Sequence, residues 1–521
     1  MNETARKHWV HLGAFAFALT LISWAATWAG LTGTWVGDDW HMVNNYLYED
    51  WSELTAVFKR NAASYLFGED KIGPYRPVTM FTLIATHLLL PEPWLHHAIS
   101  WILHAVTSLL LFAILRSSGP IARPAKDHTK DIAAAGLAAL FFLHPVHVES
   151  YVWINGRSDL LAGFWLAVLA FLLNRMRGSG RRGYVAVLGL AAFLGASSKL
   201  PFAIAALAAC LGWAIRTRAP QWRNAAGAIG FGIGAHLILR AIFAPFRGQL
   251  GASENVFSDP TIWLSLPRLA ANGTETLVAF RGEAMRSLSW MLFGPWSMVE
   301  WLGLAIGLLV VSFLSYRRDW PGLVYWLGAL LTLAPTVVVS STFWLGFDRY
   351  LYMPAILALL ALFPYVVRFA SQGPGFRVAL VAVGLALIAQ AAIQTREASG
   401  AYDSQDAYDR ALIRDHFDDP GVHYYLASVA ARKGNRTDLR RHLSTMPSPP
   451  WPRSIIIPTY ELAARANDNI KTREAIDALV ATARTVPQCR TVRAQLEAWA
   501  AKARNPSTAA HLAAARSALA C

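Results

Sequence analysis

The chain has 521 residues, 55% of them hydrophobic and only 15% charged, where a soluble protein carries about a quarter charged. Mean hydropathy is positive, +0.33, and apolar runs recur near the ~20-residue spanning length, which excludes an ordinary soluble fold and indicates a polytopic α-helical membrane protein. The formal charge of +14 lies largely in short loops between those runs, as membrane topology requires, and does not call for nucleic acid.

The N-terminal MNETARKHWV and the apolar stretch behind it look like a signal peptide without a small-residue cleavage site, which reads as an uncleaved first span at 10–32. Arg6 and Lys7 before it place the N-terminus in the cytoplasm. Further apolar runs follow at 94–115, 132–146, 158–174, 184–198, 201–215, 224–243, 299–315, 322–340, 346–367 and 378–395, about eleven spans in all. Basic clusters at 116–130, 175–182, 216–223, 317–318 and 368–377 return the chain to the cytoplasm. An odd number of spans leaves the C-terminus outside, together with polar stretches at 37–93, 144–157, 244–300 and 341–347. Segments 78–90 and 262–293 are too short or too polar to span and read as helices at the membrane surface. The second contains Asn272-Gly273-Thr274, a sequon, a pattern frequent by chance.

Past residue 395 the composition turns polar, Ala-rich and punctuated by Pro. YYLASVAARKGN at 424–435 resembles one helix of a helical hairpin repeat, with small residues at packing positions and Gly434 at the turn. Stretches around 457–466, 472–484 and 491–503 share the helical period. The reading is a soluble α-helical repeat-like domain over 396–521, of tetratricopeptide type or as an irregular bundle. Three cysteines give no disulfide framework. Cys210 reads as a packed hydrophobe in an apolar run, while Cys489 and Cys521 can pair only if their region is extracytoplasmic.

The chemistry concentrates in the expected external loops. GDDWHMVNN at 37–45 puts Asp38 and Asp39 where the first span emerges, and carboxylates at a membrane face are costly unless solvated or used. The same loop carries GPYRPVT, with Tyr75 and Arg76. HPVHVESYVWINGRSDLL supplies His144, His147, Glu149, Asn155, Arg157 and Asp159; GFDRYLYMP supplies Asp348, Arg349, Tyr350 and Tyr352. Lys199, in SSKLP, sits at the outer end of two spans, where it either snorkels or neutralises a phosphate. Polar groups drawn to one face from distant segments suggest a site. Blander readings stand beside it: a helix N-cap for the acidic pair, satisfied structural histidines or a divalent-metal set for His144, His147 and Glu149, and an interfacial ion pair for Arg349.

Taken together, the acidic pair, YRP, HPVHVES with GRSDLL, SSKLP and DRYLYMP resemble the transmembrane, TPR-containing O-mannosyltransferases and their bacterial relatives, within the polyprenyl-phosphate-dependent GT-C glycosyltransferases. The resemblance covers most of residues 10–395 and implies an all-α GT-C membrane domain over 1–395. It further implies a general base in the first external loop, Asp38 first and Asp39 second, and a donor with one phosphate joining sugar to a polyprenyl tail. Arg349, Arg157, Lys199 and Arg76 are the expected phosphate partners; His144, His147, Glu149, Tyr75, Tyr350 and Asn155 are expected around the substrates. No metal is required where arginines supply the charge; a divalent metal is the alternative source. The implied reaction is inverting transfer of a monosaccharide, mannose by resemblance, to a Ser/Thr hydroxyl of a secreted protein, or alternatively to a glycan or lipid headgroup. The implied location is a bacterial inner membrane with the site and C-terminal domain in the periplasm. A lipid-linked sugar transporter or a non-catalytic scaffold is the competing class.

Overall fold

The computed structural model describes residues 3–37, 39, 51–59, 74–117, 127–176, 182–243, 265–279, 296–340, 347–416, 418–449, 451, 453–481, 486–503 and 505–519. Every regular element among them is helical, so the protein is an all-α polytopic membrane protein, as its apolar periodicity requires. The described residues fall into two compact units. One comprises Met1–Ala284, Trp296–Thr336 and Phe347–Tyr408; the other comprises Met285–Pro295, Val337–Gly346 and Asp409–Cys521.

In the first unit the longer helices are α1 (Glu3–Leu31), α2 (Pro77–Leu89), α3 (Pro93–Ser117), α4 (Asp127–Leu143), α5 (Arg157–Met176), α6 (Arg182–Ser198), α7 (Phe202–Thr217), α8 (Trp222–Phe243), α9 (Leu266–Ala279), α10 (Met298–Tyr316), α11 (Trp320–Ser340, whose end from Val337 falls in the second unit), α12 (Tyr352–Ala370) and α13 (Pro374–Gly400). Each of the eleven expected apolar runs is helical, but seven helices among the described residues are long and apolar enough to cross a membrane, eight if α4 and its bent continuation through Tyr151 count as one. The shortfall has a physical reason at α6 and α7. Helices of 17 and 16 residues rise only about 25 Å, less than the ~30 Å hydrocarbon core. They form a hairpin, and its tip carries Lys199.

The two segments expected as surface helices are helical where described. The 78–90 segment is α2, and Val78, Thr79, Met80, Leu83, Ile84 and Thr86 are buried, so it packs inside the unit through most of its circumference. In the 262–293 segment, α9 is locked to α10: Arg268 donates to both Glu300 carboxylate oxygens at 2.7 and 3.0 Å, and Asn272 Nδ2 donates to Glu300 Oε1 at 2.8 Å. The sequon asparagine is thus a buried structural side chain. Glu300 also closes a capping box with Ser297 at the start of α10.

The second unit continues through α14 (Gln405–His416, which begins in the first unit), α15 (Pro420–Arg432), α16 (Arg436–Thr445), α17 (Arg453–Ala466), α18 (Asn469–Ala481), α19 (Val486–Lys502) and α20 (Pro506–Ser517). The turn between α15 and α16 is the one read from KGN. Gly434 takes φ +70°, a left-handed conformation that suits glycine, and Asn435 then caps α16 by accepting the Asp438 N–H at 3.1 Å. The same device recurs between α17 and α18, with Asn467 left-handed and Asp468 accepting the Lys471 N–H. One core joins Tyr460, Ile476, Leu496, Trp499 and Leu512 of this unit, and Cys489 is disulfide-bonded while Cys210 is free and buried. Cys521 lies outside the described residues.

Candidate functional site

The site is assembled from four helix breaks. Between α4 and α5 the chain turns through Pro145–His147, Val148–Tyr151 and Ile154–Gly156. Gly156 is required there, because a Cβ would stand 2.1 Å from the Glu149 carbonyl oxygen. This tight fold places Glu149 and Asp159 on the same side. The turn Asp348–Leu351 before α12 brings in Arg349 and Tyr350, the α6–α7 tip brings in Lys199, and Arg76 lies just before Pro77 at the start of α2.

Asp159, 1% exposed, is the hub. Lys199 Nζ donates a very short hydrogen bond to its Oδ1, and Arg349 Nε lies 3.9 Å from its Oδ2. Arg349 Nε is also 3.9 Å from Glu149 Oε1, while the Arg349 backbone N–H donates to Glu149 Oε2 at 3.3 Å. The guanidinium rests on the Trp153 ring at 4.4 Å, and the Lys199 ammonium lies 3.9 Å from the Tyr350 ring centre. Arg76 joins through Ser158, donating to its Oγ at 3.3 Å. Buried charges persist only when paired, and these aromatic faces and acids hold three cations together.

Burial pushes the Lys199 ammonium down to about 7; Arg76 and Arg349 push the same way and Asp159 opposes them. Lys199 therefore changes charge near neutrality. Burial also lowers Arg76, with Asp159 opposing, and raises the Tyr75 hydroxyl to about 12.

The two expected arginines of the loop pair have different uses. Arg157 is fully buried and donates to Ser100 Oγ at 3.1 Å, Thr86 Oγ1 at 3.0 Å, the Thr82 carbonyl at 3.3 Å and the His96 carbonyl at 2.6 Å. It fastens α5 to α2 and α3 and is not brought to the cluster. Arg349 makes one side-chain hydrogen bond among the described residues, to the Tyr350 hydroxyl at 3.4 Å. At 3.9 Å the carboxylates hold it electrostatically without using its N–H groups. A guanidinium so held keeps its fork for a ligand.

Asp39 is completely buried just beyond α1. Its Oδ1 accepts the Asn155 backbone N–H at 3.0 Å and its Oδ2 the Val36 N–H at 3.4 Å. The acidic loop is thereby tied to the turn that carries Glu149 and Arg157. Asp38 lies outside the described residues. His144 has a structural role: Nδ1 accepts the Val146 N–H at 3.2 Å and Nε2 reaches the Leu277 carbonyl at 3.1 Å. His147 is buried against Phe141 and Tyr352, with ring centres 4.3 and 4.7 Å away, in an aromatic nest. Tyr75 hands its hydroxyl to the Phe58 carbonyl at 2.8 Å and stacks on His236 at 5.6 Å. No group of three or more metal-ligating side chains occurs among the described residues.

Partial likenesses to known proteins cover a fifth to a quarter of the chain. The human protein O-mannosyl-transferase TMTC3 is 29% identical over 107 residues, 20% of this chain and 10% of its own length. The Caenorhabditis elegans protein O-mannosyl-transferase F38B6.6 is 29% identical over 136 residues, 25% of this chain and 19% of its own. This chain is similar to protein O-mannosyl-transferases. The matched stretches span between a tenth and a fifth of those relatives. No family profile matches the chain, and no solved structure matches it.

Three groups in the site were given no role by sequence, although Asp159 was named in its polar stretch. Asp159 had the same signal as Asp39, a carboxylate at the mouth of a span. Trp153 offered no signal, since one Trp among 21 does not announce a cation beneath it. Tyr402, 1% exposed, lies after the last span, its hydroxyl in the field of Glu149, Asp348, Arg349 and Asp39; burial, with the acids adding, raises it well above the ordinary tyrosine value.

Proposed function

We propose that the chain is an inverting membrane glycosyltransferase that moves a monosaccharide, mannose in the first instance, from a polyprenyl-phosphate carrier to a Ser/Thr hydroxyl of an extracytoplasmic protein. The observation that carries this reading is Arg349, held over Trp153 between two buried carboxylates with N–H groups left for a ligand. Lys199 and Arg76 beside it supply further positive charge. Such a trio suits the single phosphate of a lipid-linked sugar. The likeness to protein O-mannosyl-transferases supports the sugar and the acceptor, and the Cys489 disulfide supports an oxidising compartment for the C-terminal unit.

In the proposed reaction, a carboxylate of the first external loop, Asp38 or Asp39, removes the proton of the acceptor hydroxyl. The hydroxyl oxygen bonds to the anomeric carbon as the bond from that carbon to the phosphate oxygen breaks. Polyprenyl phosphate leaves with the electron pair, and Arg349, Lys199 and Arg76 stabilise its growing charge. One displacement inverts the anomeric centre. General-base assistance contributes about 10²–10⁴-fold, so loss of the base should leave a trace of activity. Of the pair, Asp39 has two backbone N–H bonds that fix its position.

The test is transfer of label from polyprenyl-phosphate mannose in liposomes containing a protein extract, with wild type, Asp38→Asn and Asp39→Asn. Label in protein with wild type, lost in one variant that still binds donor, names enzyme, acceptor and base. Label in lipid or glycan moves the acceptor. No donor consumption by folded protein, with several donor sugars tried, refutes the reading.

A further inference from the structure

A pocket walled mostly by apolar side chains, with a few polar groups among them, lies at the other end of the spans. It opens between α3, α5, α7, α11 and α12, and its wall includes Asn174, Trp213, Arg216, Thr217, Tyr325 and Leu360. Asn174 is near the C-terminal end of α5, on the order of 20 Å along the helix from Asp159 at ~1.5 Å per residue, so this pocket and the cluster around Arg349 are separate. Ends of helices here carry Arg175, Arg218, Arg317, Arg318 and Arg368, the basic side of the protein.

Three donors face the pocket. Arg216 gives Nη1 to the Leu360 carbonyl at 3.1 Å and lies 5.2 Å from the Tyr325 ring centre. Its Nη2 is buried with no partner among the described residues. Trp213 is 3% exposed, and its Nε1 is likewise buried without a partner. Asn174 Nδ2 has only long contacts, 3.4 Å to the Ile114 carbonyl and 3.5 Å to Ser117 Oγ. No Asp or Glu lines the pocket. The nearby Asp319 is engaged by the Tyr365 hydroxyl at 2.9 Å and the Gly322 N–H at 3.1 Å, and Asp131 by Arg116 at 2.7 Å.

Orphaned buried donors cost free energy until an acceptor arrives. A cationic fork, an indole N–H and an amide converging with no acid among them ask for an anion with several oxygens. Basic pockets between spanning helices at the basic face of a bundle suit lipid phosphates. We infer that this pocket binds the phosphate of an anionic phospholipid of the leaflet opposite the Arg349 cluster, with Arg216 Nη2 and Trp213 Nε1 as its donors. The inference does not rest on the proposed transferase reaction.

The test uses full-length protein, delipidated in neutral detergent and titrated with phosphatidylglycerol, phosphatidylcholine or inorganic phosphate, read by native mass spectrometry and thermal stability. Wild type should retain phosphatidylglycerol and gain stability from it. Arg216→Gln should weaken that binding roughly tenfold or more and leave phosphatidylcholine unchanged. Trp213→Phe keeps the ring and removes the N–H, so a loss of a few fold is expected, and this variant decides the matter if Arg216→Gln does not fold. Stabilisation by inorganic phosphate alone, lost in both variants, would confirm phosphate recognition and assign the ligand to a soluble source. Equal phosphatidylglycerol affinity in wild type and both variants would overturn the inference.

Discussion

Asp159→Asn should destabilise the protein by an amount that depends on pH. Asp159 holds Lys199 by a direct hydrogen bond and Arg349 at 3.9 Å, and both Asp159 and Lys199 are almost completely buried. Removing one partner of such a pair leaves an uncompensated buried charge, a cost of about 3–5 kcal/mol. Burial holds Lys199 at about 7 in the folded chain, below its ordinary 10.5, so from pH 7 towards 10 the folded state binds fewer protons than the unfolded state. Stability tied to Lys199 therefore rises with pH across that window, and the burial penalty is fully present below it. Well above pH 7 the wild-type lysine is already neutral, and the substitution then removes only the weaker contact with Arg349 and a neutral hydrogen bond, about 1–2 kcal/mol. Unfolding in mixed micelles at about pH 5.5 and about pH 9 should show the gap between Asp159→Asn and wild type shrinking by roughly 2–3 kcal/mol. Lys199→Met in the same series closes a double-mutant cycle, and removing both charges should cost less than the two single changes added together. A pH-independent gap with additive single effects would show that the pair is not coupled and that Lys199 does not titrate near neutrality.

Arg349→Ala should weaken donor binding roughly tenfold or more and also destabilise the protein, because it removes the cation beside Glu149 and Asp159, whereas Arg157→Ala should lower thermal stability by leaving four acceptors without their donor while donor affinity stays near wild type; equal effects of the two on a donor-binding isotherm would refute the division of roles. Donor affinity should fall as pH rises through 7, because Lys199 loses the charge that meets the phosphate while Glu149, which burial raises to about 7, gains one, and Lys199→Met should reduce that dependence, with Lys199→Met plus Glu149→Gln flattening it. Arg349→Lys keeps the charge but not the fork over Trp153, so it should recover only part of the donor affinity lost in Arg349→Ala, measured in the same titration.

The helices were legible because apolar runs of spanning length leave few alternatives in a bilayer. Their number was less so: α6 and α7 have spanning composition, and only their lengths and the break at Lys199 show a short hairpin. The site motifs were legible as clusters of polar residues at span ends, but a cluster does not say which arginine is consumed. Arg157 and Asp159 are two residues apart on one helix, and two positions on a helix point to different sides. One guanidinium therefore turns to α2 and α3, while the carboxylate turns to Lys199. His144 and Arg349 differ in the same manner, through backbone carbonyls and N–H groups that no pattern of side chains records. Tyr402 was hidden because it approaches the site through the far end of the sequence.

That approach is made by backbone N–H groups of the first segment, and it supplies the sharpest test of how the acidic loop is held. The ends of α1 and α13 are zipped together. Gly30 N–H donates to Ser399 Oγ at 3.1 Å, Thr34 N–H to the Asp403 carbonyl at 3.0 Å, and Gly37 N–H to Gln405 Oε1 at 2.9 Å. A Cβ at Gly33 would lie 2.3 Å from the Tyr402 carbonyl oxygen and 3.0 Å from Asp403 backbone atoms, none of which can swing aside as a side chain does. Gly33→Ala must therefore part the two segments by roughly an ångström, at a cost of about 1–3 kcal/mol. Asp39 lies six residues on and depends on a 3.0 Å bond to Asn155, which a displacement of that size would lengthen beyond hydrogen-bond range. Transfer should then fall while donor binding, set by Arg349 and Lys199, stays near wild type. Gly13→Ala is the control, since its Cβ meets nothing within 4 Å and alanine favours a helix. Wild-type transfer and stability in Gly33→Ala would mean that the acidic loop is positioned by something other than the last span.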